Sequence, residues 1–180
     1  MIPTALWLLL AQGVLGAFDT LYYHEWRARL VAGGAQSRPE LLLHAARGFV
    51  CAVLFGTLGW VAWRGAWGMV LLLLVGAEVL ITLADFAIED GVRVPLGGVF
   101  AGERTTHTIM AIVYGAFLAN LLPATWMDAQ LATGFAARAM PPALCLCLTG
   151  MGVGVLLSGM RDLHAALAGP GGRWPWPAWR

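Results

Sequence analysis

Five stretches of this chain, at about 3–23, 41–63, 67–88, 105–126 and 141–166, can each supply the ~20 mostly apolar residues that cross a bilayer. Together they occupy most of the 180 residues, which leaves no room for a soluble domain. Composition agrees. The chain is 59% hydrophobic and 12% charged, about half the charge of an ordinary soluble domain, and its mean hydropathy is +0.74. The predicted fold is all-α: an up-and-down bundle of about five transmembrane helices over residues 1–168, with a Gly/Pro/Trp-rich tail over 169–180.

The first stretch is predicted to remain as a spanning helix. No basic residue precedes Trp7, and Leu15–Gly16–Ala17 is a poor cleavage site for a secretion signal. All eleven basic residues are arginine. With five spans, Arg27, Arg29, Arg38, Arg93, Arg104, Arg161, Arg173 and Arg180 fall on one side, with Arg47 just inside it, and only Arg64 and Arg138 fall on the other. The positive-inside rule then predicts an N-terminus outside, a C-terminus in the cytoplasm, and the acidic and histidine residues at the cytoplasmic face. A net charge of +1 gives no sign of a nucleic-acid partner. Cys51, Cys145 and Cys147 lie among apolar neighbours, where cysteine behaves as a small hydrophobe.

What the apolar stretches do not explain is a set of acidic and histidine residues at the helix ends on one side. Asp19, His24 and Glu25 close the first helix, and Asp85, Glu89 and Asp90 close the third; Glu40 and His44 open the second, and Glu103 and His107 open the fourth. At 1.5 Å of rise per residue, His44, Asp85 and His107 share a depth about 6 Å inside the boundary, and Glu78 lies about 16 Å inside it. Facing is consistent too. Glu40, His44 and Arg47 share one stripe; Glu78, Thr82, Asp85 and Glu89 share a second; Glu103, His107 and Tyr114 share a third. Ionisable groups cost at least ~2.5 kcal/mol each at mid-bilayer, so several together indicate pairing or function.

Imidazole with carboxylate suits iron, manganese or zinc. The best candidate ligands are His44, His107 and Asp85, then Asp19, Glu40 and Glu103, with Arg47 and Glu78 as a supporting ion pair. The arrangement resembles that of soluble di-iron four-helix bundles. Those use Glu-x-x-His, however, whereas this chain has Glu-x-x-x-His twice, which leaves bridging by Glu40 and Glu103 in doubt. A haem between His44 and His107 ranks below a non-haem metal, because four carboxylates around a porphyrin would be unusual. The competing reading is a salt-bridged rim, with Arg47 on Asp19 or Glu78, and with Arg93 and Arg104 on Glu89 and Asp90. His24 and His164 lie beside aqueous loops and are expected to be solvated or interfacial, and Tyr22, Tyr23 and Trp26 to belong to an aromatic belt. A proton or ion pathway through Glu78 and Asp85 is a further alternative, on a bundle with no evident repeat.

Two connections on the polar side, about 26–39 and 91–102, are candidate lids, with Ser37 a candidate cap before Pro39. The opposite connection from Trp63 to Trp67 reads as a tight turn flanked by interfacial tryptophans. In the fifth helix, Gly150, Gly154 and Ser158 form a small-xxx-small stripe that lets another helix approach closely. That stripe and the Trp174–Trp179 tail are candidate contacts with another membrane protein.

The runs Phe18-Asp-Thr-Leu-Tyr-Tyr-His-Glu-Trp, Leu43-His-Ala-Ala-Arg, Ile81-Thr-Leu-Ala-Asp-Phe and Glu103-Arg-Thr-Thr-His-Thr, with Tyr114-Gly-Ala, resemble a family of uncharacterised bacterial multi-spanning integral membrane proteins. The resemblance covers residues 18 to about 126. It implies that the polar set belongs together, and it brings no activity with it. Two functions are carried forward. One is a metal-dependent, di-iron-like redox site acting on a lipid or quinone-like substrate; the other is a non-catalytic accessory subunit of a larger membrane complex.

Overall fold

The computed structural model describes residues 1–168; the Gly/Pro/Trp tail, with Trp174–Trp179, lies outside the described residues. Five helices are long and apolar enough to cross a membrane. They are α1 (Ile2–Phe18), α2 (Arg38–Thr57), α3 (Ala66–Arg93), α4 (Ala101–Ala129) and α5 (Pro142–Ala168). Helices satisfy their own backbone groups, which is what hydrocarbon requires of a single spanning segment. The bundle is a closed ring in the order α1, α4, α3, α2, α5. All five helices meet at a polar end that carries the acidic and histidine residues.

The core of the ring is apolar, with Leu6, Leu9, Leu54, Leu71, Phe117, Leu121 and Leu148 almost fully buried. Its tightest seam joins α2 to α5. Cys145, Gly152 and Gly159 recur every seven residues along α5 and face Gly59, Ala52–Gly56 and Ala45–Gly48. A Cβ at Gly152 would stand 3.2 Å from the Gly56 nitrogen, and one at Gly159 would stand 3.3 Å from the Ala45 carbonyl. Small residues thus allow backbone-to-backbone approach. The buried Cys145 thiol donates to the Gly59 carbonyl at 3.2 Å. The small-residue stripe expected to pack, Gly150 and Gly154, is a different one: a Cβ at either position meets nothing within 4 Å. The seven-residue spacing, rather than the four-residue one, marks the packed face.

Three local features depart from the sequence reading. First, α1 continues without a break into a π-helix, Asp19–Arg27, so the first span runs four residues past the expected end. Second, α3 runs to Arg93 and turns into a 3₁₀ segment, Val94–Leu96, which puts Arg93 on the helix rather than in a loop. Third, the connection after α2 is not a simple turn. Val61–Arg64 (β1) pairs antiparallel with Gly134–Ala137 (β2) between α4 and α5, in the register Val61↔Ala137 to Arg64↔Gly134. The ribbon satisfies the backbone groups of both connections at the bundle's other end. Trp63, Trp67 and Phe135 cluster on it at 5.3–6.2 Å between ring centres.

At the polar end, the two candidate lids pack down on the bundle. Leu30, Val31, Leu96 and Phe100 gather with Leu41, Ala165 and Ala166. Ser37 occupies the N-cap position of α2, but its side chain makes no capping hydrogen bond; its hydroxyl is packed against Gly33 instead.

Candidate functional site

The π-helix is the local structure that builds the site. Hydrogen bonding from i to i+5 brings residues five apart to one side, and Asp19 and His24 are five apart. In an α-helix they would splay. In the π-helix His24 Nε2 lies 3.2 Å from Asp19 Oδ2. His24 is therefore buried, at 9% exposure, which corrects the expectation that it is solvated or interfacial. Its ring stacks on that of His44, with centres 4.7 Å apart and planes within 8°. It meets His107 edge-on at 6.2 Å. His24 is the residue that joins the helix-two and helix-four histidines into one cluster.

Around these three imidazoles the carboxylates converge. His107 Nε2 lies 3.2 Å from the same Asp19 Oδ2, and its Nδ1 lies 3.6 Å from Glu89. His44 Nε2 lies 3.2 Å from Asp85 Oδ2 and 3.8 Å from Glu40. His24 also reaches Glu103 at 3.4 Å. Three groups have ligand atoms mutually within 4.8 Å: Asp19, His24 and His107; Glu40, His44 and Asp85; and Glu89, Glu103 and His107.

Arg93 fixes the cluster from behind. It is fully buried. Its Nε donates to both oxygens of Glu40 at 2.8 and 2.9 Å, and its terminal nitrogen lies 2.7 Å from Glu40 and 3.1 Å from Glu103. The expected pairing of Arg93 with Glu89 and Asp90 is thus replaced, because the longer α3 turns Arg93 inward. Arg104 alone takes Asp90, at 3.0 Å on the surface. Glu40 and Glu103 hold Arg93 on one side and face histidines on the other. Glu103 also accepts from the Phe100 N–H at 3.3 Å and so anchors the start of α4.

Deeper in the bundle, Arg47 lies 3.6 Å from Glu78 and 3.9 Å from Asp85; its nearest acid is not Asp19. The Thr82 hydroxyl donates to Glu78 at 3.0 Å. At the α5 side, Arg161 pairs with Glu25 through both of its terminal nitrogens. Asp162, one residue on, is buried and lines the site.

These groups form one end of a cavity of about 550 Å³. All five helices contribute to its wall, from Leu9 and Gln12 on α1 to Val155 and Ser158 on α5. The rest of the wall is largely Leu, Val, Met, Phe, Gly and Ala.

The electrostatics are lopsided. Six carboxylates (Asp19, Glu40, Glu78, Asp85, Glu89 and Glu103) face two guanidiniums, Arg47 and Arg93. With neutral imidazoles that leaves four negative charges uncompensated; with three imidazolium ions it leaves one. Uncompensated charge in a low-dielectric interior is costly, so the cluster is built either around protonated histidines or around added cations.

Sequence reasoning set His24 among the residues closing the first helix but expected it solvated, gave Arg93 to Glu89 and Asp90, and missed Asp162. Arg93 extends the stripe Glu78, Thr82, Asp85, Glu89 by one more turn, and Asp162 follows Val155 and Ser158 at i+7 and i+4, so both carried a spacing signal. His24 carried none, since its inward turn depends on the π-helix. No family model, curated protein or solved structure matches the chain.

Proposed function

We propose that the polar end of the bundle is a metal centre that carries out redox chemistry on a lipid or quinone-like molecule drawn from the membrane. One ion would be held by Asp19, His24 and His107, and a second by His44 and Asp85 with Glu40. Glu103 and Glu89 would orient the histidines, and Arg93 would orient the two glutamates. Iron, manganese and zinc all suit these donors; only the first two supply electron transfer. Haem fits less well, because the His24 ring occupies the space between His44 and His107.

One observation carries the reading: His24 and His107 direct Nε2 at one Asp19 oxygen, each at 3.2 Å. Ligand atoms bound ~2.1 Å from one ion stand about 3 Å apart, so two edges of this trio already have that length, and the third lies within 4.8 Å. The charge surplus supports it, since two divalent ions with neutral imidazoles would bring the six carboxylates and two guanidiniums to balance. The arginine distribution supports a bacterial inner-membrane location with the site on the cytoplasmic side.

The test is elemental analysis of the protein purified in mild detergent. The expected result is one or two equivalents of iron or manganese per chain, lost in His24→Ala, His44→Ala and His107→Ala while each variant still elutes as a folded species. Wild-type protein free of iron, manganese and zinc after growth in supplemented medium overturns the reading. A second reading, an accessory subunit that docks on a partner helix through Gly150, Gly154 and Ser158, draws on the open space over Gly150 and Gly154.

A further inference from the structure

The cavity is larger than a metal centre needs. At about 550 Å³ it falls in the range of pockets that enclose most of a small ligand. Beyond the histidine layer it continues past Cys51 and Tyr114 to Leu9, Leu54 and Leu118. An apolar chamber of this length inside a membrane bundle has lipid as its ready occupant.

The polar atoms along the wall restrict which lipid. Asp19 Oδ1, Glu78 Oε2, Asp85 Oδ1 and Gln12 Oε1 are buried acceptors without a hydrogen-bond partner, and they share the wall with the Tyr114 hydroxyl and His24 Nε2, which can donate. Glu78 is 3% exposed and lies beside the Tyr114 hydroxyl, well below the histidine layer. Buried acceptors gain from a ligand that donates, and a hydroxyl head can donate to them while accepting from a neighbouring donor. The net charge of the wall acts in the same direction. Asp19, Glu78, Asp85 and Asp162 line the cavity against one guanidinium, that of Arg47, while Glu25, also on the wall, is paired with Arg161. With neutral imidazoles the wall keeps three negative charges, and with His24, His44 and His107 all protonated it comes only to balance. Before any cation binds, the wall therefore offers an anionic phosphate or carboxylate head no net positive charge, whereas a neutral hydroxyl head is accepted.

The wall also has a way in. Of the five helix–helix seams, the one between α1 and α5 is the most sparsely packed. Ala17 on α1, Leu21 on the π-helix that continues it and Gly154 on α5 line the cavity and are exposed. A Cβ at Gly154 meets nothing within 4 Å. We propose that the cavity takes up, through the seam between α1 and α5, a single-chain membrane lipid whose head is an uncharged hydroxyl. The inference deepens the metal-centre reading by naming its substrate class, and it rests on that reading only for the chemistry at the head, since uptake needs no metal.

Photolabelling of the whole protein in phosphatidylcholine vesicles tests it. The probes are hexadecanol carrying a diazirine on its chain and the matched diazirine hexadecanoic acid. The alcohol is expected to label peptides from α1 and α5 at the cavity, and the acid at least about tenfold less. Gly154→Phe, which puts a ring in the mouth, is expected to cut alcohol labelling about tenfold. Gly150→Phe, one turn away and outside the cavity wall, is expected to leave it unchanged. Ala17→Phe, which puts a ring at the same mouth from the α1 side, stands in if Gly154→Phe does not fold. Equal labelling by acid and alcohol overturns the proposal, as does full labelling of both mouth variants or equal loss in Gly150→Phe. Labelling is read with and without prior chelation: chelated protein that still takes up the alcohol keeps this inference standing whatever the outcome for the metal.

Discussion

Arg93 is the most demanding single residue in the bundle, for it places a guanidinium with no exposure at all between two buried carboxylates. Removing one partner from such an arrangement strands the others, at a cost of about 3–5 kcal/mol. Arg93→Ala is therefore expected to lower the unfolding temperature in detergent sharply, as followed by loss of the monodisperse peak on heating. Arg93→Lys is expected to recover only part of the loss, since an ammonium cannot reproduce the two-oxygen grip on Glu40. Arg47→Ala should cost less, because the Arg47 side chain keeps a quarter of its surface exposed and stands 3.6 Å from its nearest acid. Equal stability of the Arg93→Ala and wild-type proteins would show that Glu40 and Glu103 are neutral in the fold and do not need a cation. Neighbouring histidines make the same point in a different currency: they tie the helices together through stacking and charge, and the fold spends no apolar surface on them.

At the scale of elements, the α2–α5 seam sets the shape of the ring. Gly152→Leu is expected to destabilise the protein by at least the ~1–3 kcal/mol of ordinary overpacking, because its Cβ alone would already crowd the Gly56 backbone. Gly150→Leu, on the exposed face of the same helix, is expected to leave the melting curve in place. A reversed order would return the packed face to the four-residue stripe. How far the elements could be read from the chain follows from what sets each one. The spans were legible because bilayer thickness imposes a length and an apolar content on any helix that crosses it, and Glu40/His44/Arg47 and Glu78/Thr82/Asp85/Glu89 were legible as stripes because α-helical spacing is fixed. The π-helix was not, since Asp19-Thr-Leu-Tyr-Tyr-His differs from an α-helical sequence only in what its side chains find when they fold in. Nor was the ribbon, because Gly134-Phe-Ala-Ala carries little strand propensity and pairs, from Arg64↔Gly134 to Val61↔Ala137, with a segment far away in the chain.

Across the whole molecule, charge and polarity are divided between two ends. Arg27, Arg29, Arg38, Arg93, Arg104 and Arg161 sit at the polar end, and Arg64 and Arg138 sit at the ribbon end, where Arg138 reaches Asp128 at 3.3 Å. The positive-inside rule then predicts that a reporter fused after residue 180 is active in the cytoplasm and silent outside, while one inserted in the connection between α2 and α3 behaves oppositely. The reverse pattern would move the histidine cluster to the outer face of the membrane and any redox partner with it.

The two-stranded ribbon has a mechanical consequence. It sits between α2 and α3 in one strand and between α4 and α5 in the other, so its backbone hydrogen bonds tie the far ends of four helices to a common pivot. Among the described residues, α1 is the one spanning helix that adjoins neither strand. A tilt of α1 leaves those hydrogen bonds intact, whereas a tilt of any other helix loads them. The freedom left to α1 thereby lies at the end opposite Asp19 and His24, so a small rocking of α1 changes the width of its seam with α5 while the ion pairs to His107 and Arg161 hold the imidazole end in place.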